Sequence, residues 1–161
     1  MKYILSILII FFISSCDNDP STKFVDINDY FIIELPIESK SSFFTREDAK
    51  GYDVEIQNIN TRFGEVVFSR DDRSLAEHVQ LYPKEMIKRK GYELLNFEQY
   101  KNHFLNGTYS YYLDGKFHSH LWCLYHENRY LMIIKITKKP NLKVHNTIKQ
   151  VIDKIIINKT H

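Results

Sequence analysis

Alternation of apolar and polar residues dominates the chain from residue 30 to residue 137, and it predicts β-strands. The clearest example is 52–57, where Tyr52, Val54 and Ile56 alternate with polar residues, as expected for a half-buried strand. Asp114-Gly115 lies between two such stretches and is a strong signal for a two-residue hairpin. The predicted strands are 30–35, 52–57, 65–69, 92–100, 104–113, 116–125 and 130–137, with a loop at 37–51 and a turn at 60–64.

Two segments show the spacing of apolar residues that is typical of helices. The first begins with Ser74 and Glu77, the spacing of a capping box, and Gly91 is well placed to end it. Pro83 lies inside this helix and predicts a kink or a break, because proline removes a backbone hydrogen bond. The second helix is predicted over 142–157, where one face carries an apolar stripe: Val144, Ile148, Val151, Ile152 and Ile155.

The order of these elements predicts the fold class. A strand, a hairpin, a helix, a run of antiparallel strands and a final helix are typical of an α+β protein. We therefore expect a single domain at 28–157, built on an antiparallel sheet of six or seven strands flanked by helices. We expect residues 158–161 to fray at the C-terminus.

The N-terminus carries a different pattern, an apolar run of about ten residues that follows Met1-Lys2. A membrane-spanning helix needs about 20 apolar residues, so this run is too short to span and is typical of a secretory signal peptide. The run ends at Ile13-Ser14-Ser15-Cys16, which resembles the bacterial lipobox. That resemblance implies that a peptidase recognises Ile13, Ser14 and Ser15, removes residues 1–15, and leaves Cys16 with a diacylglyceryl group.

A lipid on Cys16 is expected to anchor the protein in a membrane of the bacterial cell envelope, and no other cofactor is expected. Two or more acyl chains give stable anchoring, whereas one gives only marginal binding. The alternatives are an ordinary cleaved signal peptide and an uncleaved anchor, but neither explains the position of the cysteine. We interpret residues 16–27 as the lipidated cysteine and a flexible tether. Asp17 resembles an inner-membrane retention signal in some bacteria and a surface-export signal in others, so the membrane and the leaflet stay open.

Charge and cysteine content exclude several function classes. The 22 Lys and Arg residues nearly balance the 20 Asp and Glu residues, so the net charge of +2 gives no electrostatic footprint for nucleic acid. Once Cys16 carries lipid, Cys123 is the remaining cysteine, and neither an intramolecular disulfide nor a thiolate zinc site is expected. The many aromatic residues, among them eleven Tyr and eleven Phe, predict a packed sheet face.

The predicted topology resembles a known family. The matching features are the strand that ends at Leu35-Pro36, the hairpin before Ser74, the meander around Asp114-Gly115, and the closing helix at 142–157. Over about 28–157 they resemble the PsbP/Mog1-like αβα sandwich, which includes DcrB-like bacterial lipoproteins. Its members include extrinsic subunits of photosystem II, a nuclear-transport factor that binds a small GTPase, and envelope lipoproteins. The resemblance therefore implies a binding scaffold and carries no functional residue onto this chain.

His118 and His120 lie two residues apart on one predicted strand, so they project from the same face. With Trp122 they form the more polar side of that strand, which we interpret as facing solvent. They are weak candidates for a metal site, which requires a third ligand such as His126 or His103. The opposite, apolar side of the strand predicts that Cys123 is a buried and unreactive thiol.

Signatures of catalysis are missing from the sequence. There is neither a Gly-x-Ser-x-Gly elbow nor a phosphate-binding glycine loop, and Asp71-Asp72 lacks the surroundings of a calcium loop. We therefore expect a non-enzymatic envelope lipoprotein that binds a protein partner, in an immunity or envelope-maintenance role. The first alternative is an envelope lipoprotein that carries a small ligand or a metal at His118 and His120. The second is a weak hydrolase of envelope polymers.

Overall fold

A computed structural model describes residues 21–66 and 74–158 of the chain. These residues form two antiparallel sheets and two helices, which confirms the predicted α+β class. In chain order the elements are β1 (Thr22–Ile27), β2 (Phe31–Pro36), β3 (Lys40–Thr45), β4 (Ala49–Ile56), β5 (Ile59–Val66), α1 (Leu75–Lys90), β6 (Glu93–Lys101), β7 (Asn106–Asp114), β8 (Phe117–His126), β9 (Arg129–Thr137), α2 (Leu142–Ile152) and β10 (Ile156–Ile157).

The larger sheet has seven antiparallel strands in the order β3-β4-β5-β9-β8-β7-β6, and the smaller sheet has the order β1-β2-β10. The smaller sheet and α2 pack together against one face of the larger sheet, and their apolar residues form the main core. We call this the α2 face; it carries Phe63 and Trp122. The opposite face, which carries Leu121 and Cys123, packs against α1 in a second cluster, and we call it the α1 face.

Helix α1 has the predicted ends. The Glu77 carboxylate accepts a hydrogen bond from the Ser74 amide at 3.0 Å, and the Ser74 side chain accepts one from the Glu77 amide, which completes the capping box. Gly91 ends the helix with a φ of 69°, a left-handed conformation that glycine adopts without strain.

Pro83 does not split α1, and the reason lies in the neighbouring strand. Proline at this position leaves the carbonyl of Val79 without its usual helical donor. The Thr108 hydroxyl on β7 donates to that carbonyl at 3.1 Å, in a buried position. The sheet thus supplies the hydrogen bond that the helix lacks, and Pro83 itself is buried against the sheet.

The folded region begins earlier than predicted. Thr22–Ile27, which we assigned to the tether, forms β1 and pairs with β2 along its length. Val25 and Ile27 are buried between exposed neighbours, a short alternation that the polar stretch before it obscured. At the other end, the Asn158 amide donates to the Tyr30 carbonyl at 2.9 Å, so this residue is held in place instead of fraying. The predicted signal peptide, Cys16 and residues 159–161 lie outside the described residues.

The predicted loop at 37–51 is also wrong, because it contains β3 and the start of β4. Strand β3 lies at an edge of the sheet and is mostly exposed, so its sequence lacks the alternation of a half-buried strand. The turn predicted at 60–64 instead falls at Gln57-Asn58, where both residues have positive φ angles of 50° and 66°. The second helix is shorter than predicted, and Ile156–Ile157 pairs with β2 instead.

Candidate functional site

The predicted histidine pair lies largely in the interior, and its interpretation as a solvent-facing pair is wrong. His120 is only 2% exposed, His118 is half-buried, and Trp122 is fully buried. They lie on the α2 face, where His145 of α2 stacks on Tyr109 with 4.3 Å between ring centroids. Sequence alone did not reveal this burial because the covering helix follows β8 by some distance along the chain.

Tyrosines of β7 hold both histidine rings in place. The Tyr109 hydroxyl lies 2.8 Å from His120 Nδ1, and the Tyr111 hydroxyl lies 2.7 Å from His118 Nδ1. The Tyr111 ring also stacks on His120 with 4.7 Å between centroids. Because each Nδ1 is engaged by a hydroxyl group, only the other ring nitrogen is left for a metal.

The third ligand suggested by the sequence is not brought to this pair. His126 lies at the far end of β8, where its Nδ1 is 2.6 Å from the Tyr30 hydroxyl. His103 is exposed in the connection between β6 and β7, which is near that same far end. Across residues 21–66 and 74–158, no three His, Cys, Asp or Glu side chains are grouped so as to hold a metal ion.

The surroundings of His120 favour its neutral form. Burial lowers the pKa of His120 to about 4, and the nearby His145, His118 and Lys135 act in the same direction. In the described structure, His120 Nε2 has no hydrogen-bond partner, so a proton added there would place an unpaired charge in the core. The histidine cluster is therefore part of the packing of the α2 face.

The α1 face is only partly covered. Helix α1 packs mainly on β6, β7 and β8, and Tyr130 at the start of β9 is buried in the same cluster. Among the described residues, this leaves open β3, β4 and the parts of β5 and β9 around Arg62 and Ile136. Two adjoining cavities of about 650 and 290 Å³ lie there and share Arg62, Ile134 and Ile136. We call them together the open groove; its other side-chain walls include Lys40, Ser42, Phe44, Asp53 and Met132.

The open groove combines a fixed ion pair with apolar side chains. The Arg62 guanidinium donates two hydrogen bonds to the Asp53 carboxylate, each of 2.7 Å, and these bonds lower the pKa of that carboxyl group. The same guanidinium lies over the Phe44 ring, 4.6 Å from its centroid. Ile136 is 54% exposed beside them. A preorganised charge next to exposed apolar area is typical of surfaces that recognise other proteins.

The Phe44 ring packs closely over the floor of the groove because Gly64 of β5, which lies beneath it, has no side chain. A Cβ atom at Gly64 would lie 3.0 Å from the Phe44 ring, so any larger residue would push the ring outward. Sequence reasoning missed Phe44 because we assigned its segment to a loop. The adjacent aromatic residues Phe43-Phe44 between Ser and Thr were the available signal, since such residues favour strands.

These observations define a class of protein: an antiparallel sheet with one helix on each face and a small second sheet beside one helix. The solution structure of cyanobacterial PsbP (CyanoP) from Synechocystis sp. PCC 6803 shares this fold. The two align with a TM-score of 0.59 and 11% sequence identity, over 85% of this chain and 92% of that chain. The fold of this protein is therefore PsbP-like, as the predicted topology implied.

Comparisons by sequence add nothing further: no family model and no curated protein matches the chain. Neither of the two described helices is long and apolar enough to cross a membrane.

Proposed function

We propose that this protein is a lipid-anchored protein of the bacterial cell envelope whose PsbP-like domain binds a protein partner through the open groove. The observation that carries the proposal is the part of the α1 face left uncovered among the described residues, where the half-buried Arg62 and Phe44 lie beside the exposed Ile136. Apolar side chains exposed beside a fixed charge often mark a site of contact with another protein.

The anchor is proposed from the lipobox-like segment that ends at Cys16. Strand β1 begins at Thr22, and its neighbour Ser21 accepts a hydrogen bond from the Ile37 amide at 3.1 Å. Only residues 17–20 then lie between the lipidated cysteine and the folded body. Even when fully extended, this connection is no longer than about 20 Å. The domain would work close to the membrane surface.

We propose that the protein acts without catalysis. Arg62 and Asp53, two charged side chains of the groove, are engaged with each other. The buried carboxylate Glu65 is held by Arg129 and Asn28. Burial raises the pKa of the Cys123 thiol to about 12, so this thiol is not a nucleophile at neutral pH.

The alternative, a small-ligand or metal carrier at His118 and His120, has less support. Such a site needs side chains that converge on an open space. Here His120 is buried beneath α2 and each Nδ1 is engaged by tyrosine, whereas the groove on the other face is open to solvent.

Site-specific photocrosslinking in intact cells tests the binding proposal. Benzoylphenylalanine placed at Ile136, in the groove, is expected to give a discrete protein adduct. The same amino acid at Leu142, which is 84% exposed on α2, is the matched control and should not give it. An adduct from both positions, or from neither, would contradict a partner at the groove.

The anchor needs a separate test. The unaltered chain should incorporate radioactive palmitate and sediment with membranes, whereas a Cys16→Ser chain should lose both properties. An unlabelled wild-type chain, together with a Cys16→Ser chain that still sediments with membranes, would refute lipid anchoring. Neither result would affect the proposal that the groove binds a partner, which the photocrosslinking experiment tests separately.

A further inference from the structure

The two edges of the seven-stranded sheet are built differently. The β6 edge carries a bulge between Leu94 and Asn96 and three charged residues within the strand. The β3 edge pairs with β4 without a shift in register along its whole length, and Lys40 is its one charged residue. Bulges and charges are the usual means by which an edge strand avoids pairing with another chain. Strand β3 lacks both along most of its length.

The hydrogen-bonding pattern shows which backbone groups of β3 face outward. The Arg46 amide donates to the Ala49 carbonyl at 2.8 Å, at the base of the hairpin between β3 and β4. Residues of an antiparallel pair alternate between hydrogen-bonded and non-hydrogen-bonded positions. Lys40, Ser42 and Phe44 therefore direct their backbone groups towards β4. The three remaining residues of the strand, Ser41, Phe43 and Thr45, direct theirs towards the open edge.

We propose that β3 pairs with β3 of a second copy of this chain, antiparallel about a twofold axis that passes beside Ser42. Each Ser42 then faces Ser42 of the other copy in a non-hydrogen-bonded pair. Ser41 of one copy faces Phe43 of the other, and these two residues exchange backbone hydrogen bonds in both directions. The outward-facing backbone groups of β3, which have no partner strand in the described part of the chain, form hydrogen bonds in this way, and the two sheets join into one.

Charge complementarity selects this register and this occupant. With the axis beside Ser42, Lys40 faces Phe44 of the other copy, whose ring already attracts the Arg62 cation. The neighbouring symmetric register, centred on Phe43, would place Lys40 opposite Arg46, which are like charges. In this register an identical strand thus provides an uncharged neighbour for Lys40, the one charged residue of β3.

Pairing also extends the open groove. Lys40, Ser42 and Phe44 line the groove on the α1 face, and an antiparallel twofold keeps the same face of both sheets on one side. The grooves of two copies would adjoin across the shared edge, with the two Phe44 rings between them.

Cysteine cross-linking of the full chain tests the register. Directly opposed residues at a non-hydrogen-bonded pair lie about 4.5 Å apart between Cα atoms, which suits a disulfide. The variants are oxidised mildly in the cell fraction that contains the protein. Ser42→Cys should then give at least fivefold more disulfide-linked dimer than Phe43→Cys or the parent chain. Both positions are exposed, so neither change should impair folding. Equal dimers, a dominant Phe43→Cys dimer, or no dimer would each overturn the proposal.

A charge substitution tests the pairing without a covalent bond. Ser42→Asp places two carboxylates opposite each other and should weaken dimerisation at least tenfold in sedimentation equilibrium, in detergent if the chain is membrane-bound. Asn60→Asp is the matched control, because it adds the same charge to the same sheet face but on the interior strand β5. It should leave the dimerisation constant unchanged. A parent chain that stays monomeric at every concentration would overturn the pairing, while the groove crosslinks of the proposed function would be unaffected.

Discussion

The two faces of the seven-stranded sheet differ in how completely they are covered. On the α2 face a helix and a second sheet exclude solvent even from polar residues, such as Thr61 and His120. On the α1 face one helix covers β6, β7 and β8, and Ile136 of β9 stays 54% exposed. The α2 face thus holds most of the apolar core, whereas part of the α1 face stays open among the described residues, and there we propose that a partner binds.

The largest expected difference in stability is between two isoleucine-to-alanine substitutions, one on each face of β9. Ile133 is fully buried on the α2 face, and Ile136 is three residues further on the α1 face. Ile133→Ala should lower the free energy of unfolding by about 2–5 kcal/mol, because it leaves a cavity in a packed core. Ile136→Ala should change it by less than about 0.5 kcal/mol. Urea unfolding of both variants measures this, and equal losses would show that the α1 face is not open.

Acid should act on the α2 face through His120. Its pKa is lowered from 6.5 to about 4 in the folded chain, so the unfolded chain binds the proton first as the pH falls. The stability that His120 provides is fully present above pH 6.5 and should fall between pH 6.5 and 4, by about 1.4 kcal/mol per pH unit at most.

Variants separate this titration from that of the carboxyl groups. Unfolding free energies measured from pH 7 to pH 4 should show a shallower slope for His120→Phe than for the parent chain. His103→Gln, at an exposed position, is the control and should retain the parent slope. An unchanged slope in His120→Phe would show that His120 is not the group responsible.

The covered half of the α1 face depends on the hydrogen bond that Thr108 donates to the Val79 carbonyl. Thr108→Val should destabilise the fold by about 1–3 kcal/mol, because a buried carbonyl loses its donor. In a Pro83→Ala background the helix supplies its own N–H to that carbonyl, and the loss caused by Thr108→Val should shrink. A double-mutant cycle in urea measures this coupling, and additive effects would argue against it.

A second substitution in the open groove is also expected to have only a small effect on stability. Arg62→Met removes a half-exposed ion pair with Asp53, so the free energy of unfolding should change by less than about 1 kcal/mol. The photocrosslinked adduct at Ile136 should nevertheless decrease strongly, because the preorganised guanidinium is lost. A stable variant that keeps the full adduct would exclude Arg62 from recognition.

Much of the fold could be predicted from local pattern. The capping box at Ser74 and the helix end at Gly91 each depend on residues within a few positions of one another, and both were confirmed. The hairpin predicted from Asp114-Gly115 was also confirmed, but its two turn residues are Gly115 and Lys116, because Asp114 still pairs with Phe117. At that hairpin Gly115 has the positive φ, 57°, that the turn requires. Exposed elements were harder to predict: β3 carries no buried face to impose alternation, so its sequence is typical of a loop.

The sequence by itself determined which segments are helices and most of the strands, because apolar periodicity and end signals act over a few residues. It also carries the lipobox-like segment at Cys16, on which the proposed anchor depends. Only the tertiary structure decided which strand faces are covered. The strand order places β9 between β5 and β8, brings His145 over Tyr109 and leaves Phe44 beside an open groove. Those outcomes depend on contacts between distant segments, which no short-range pattern encodes.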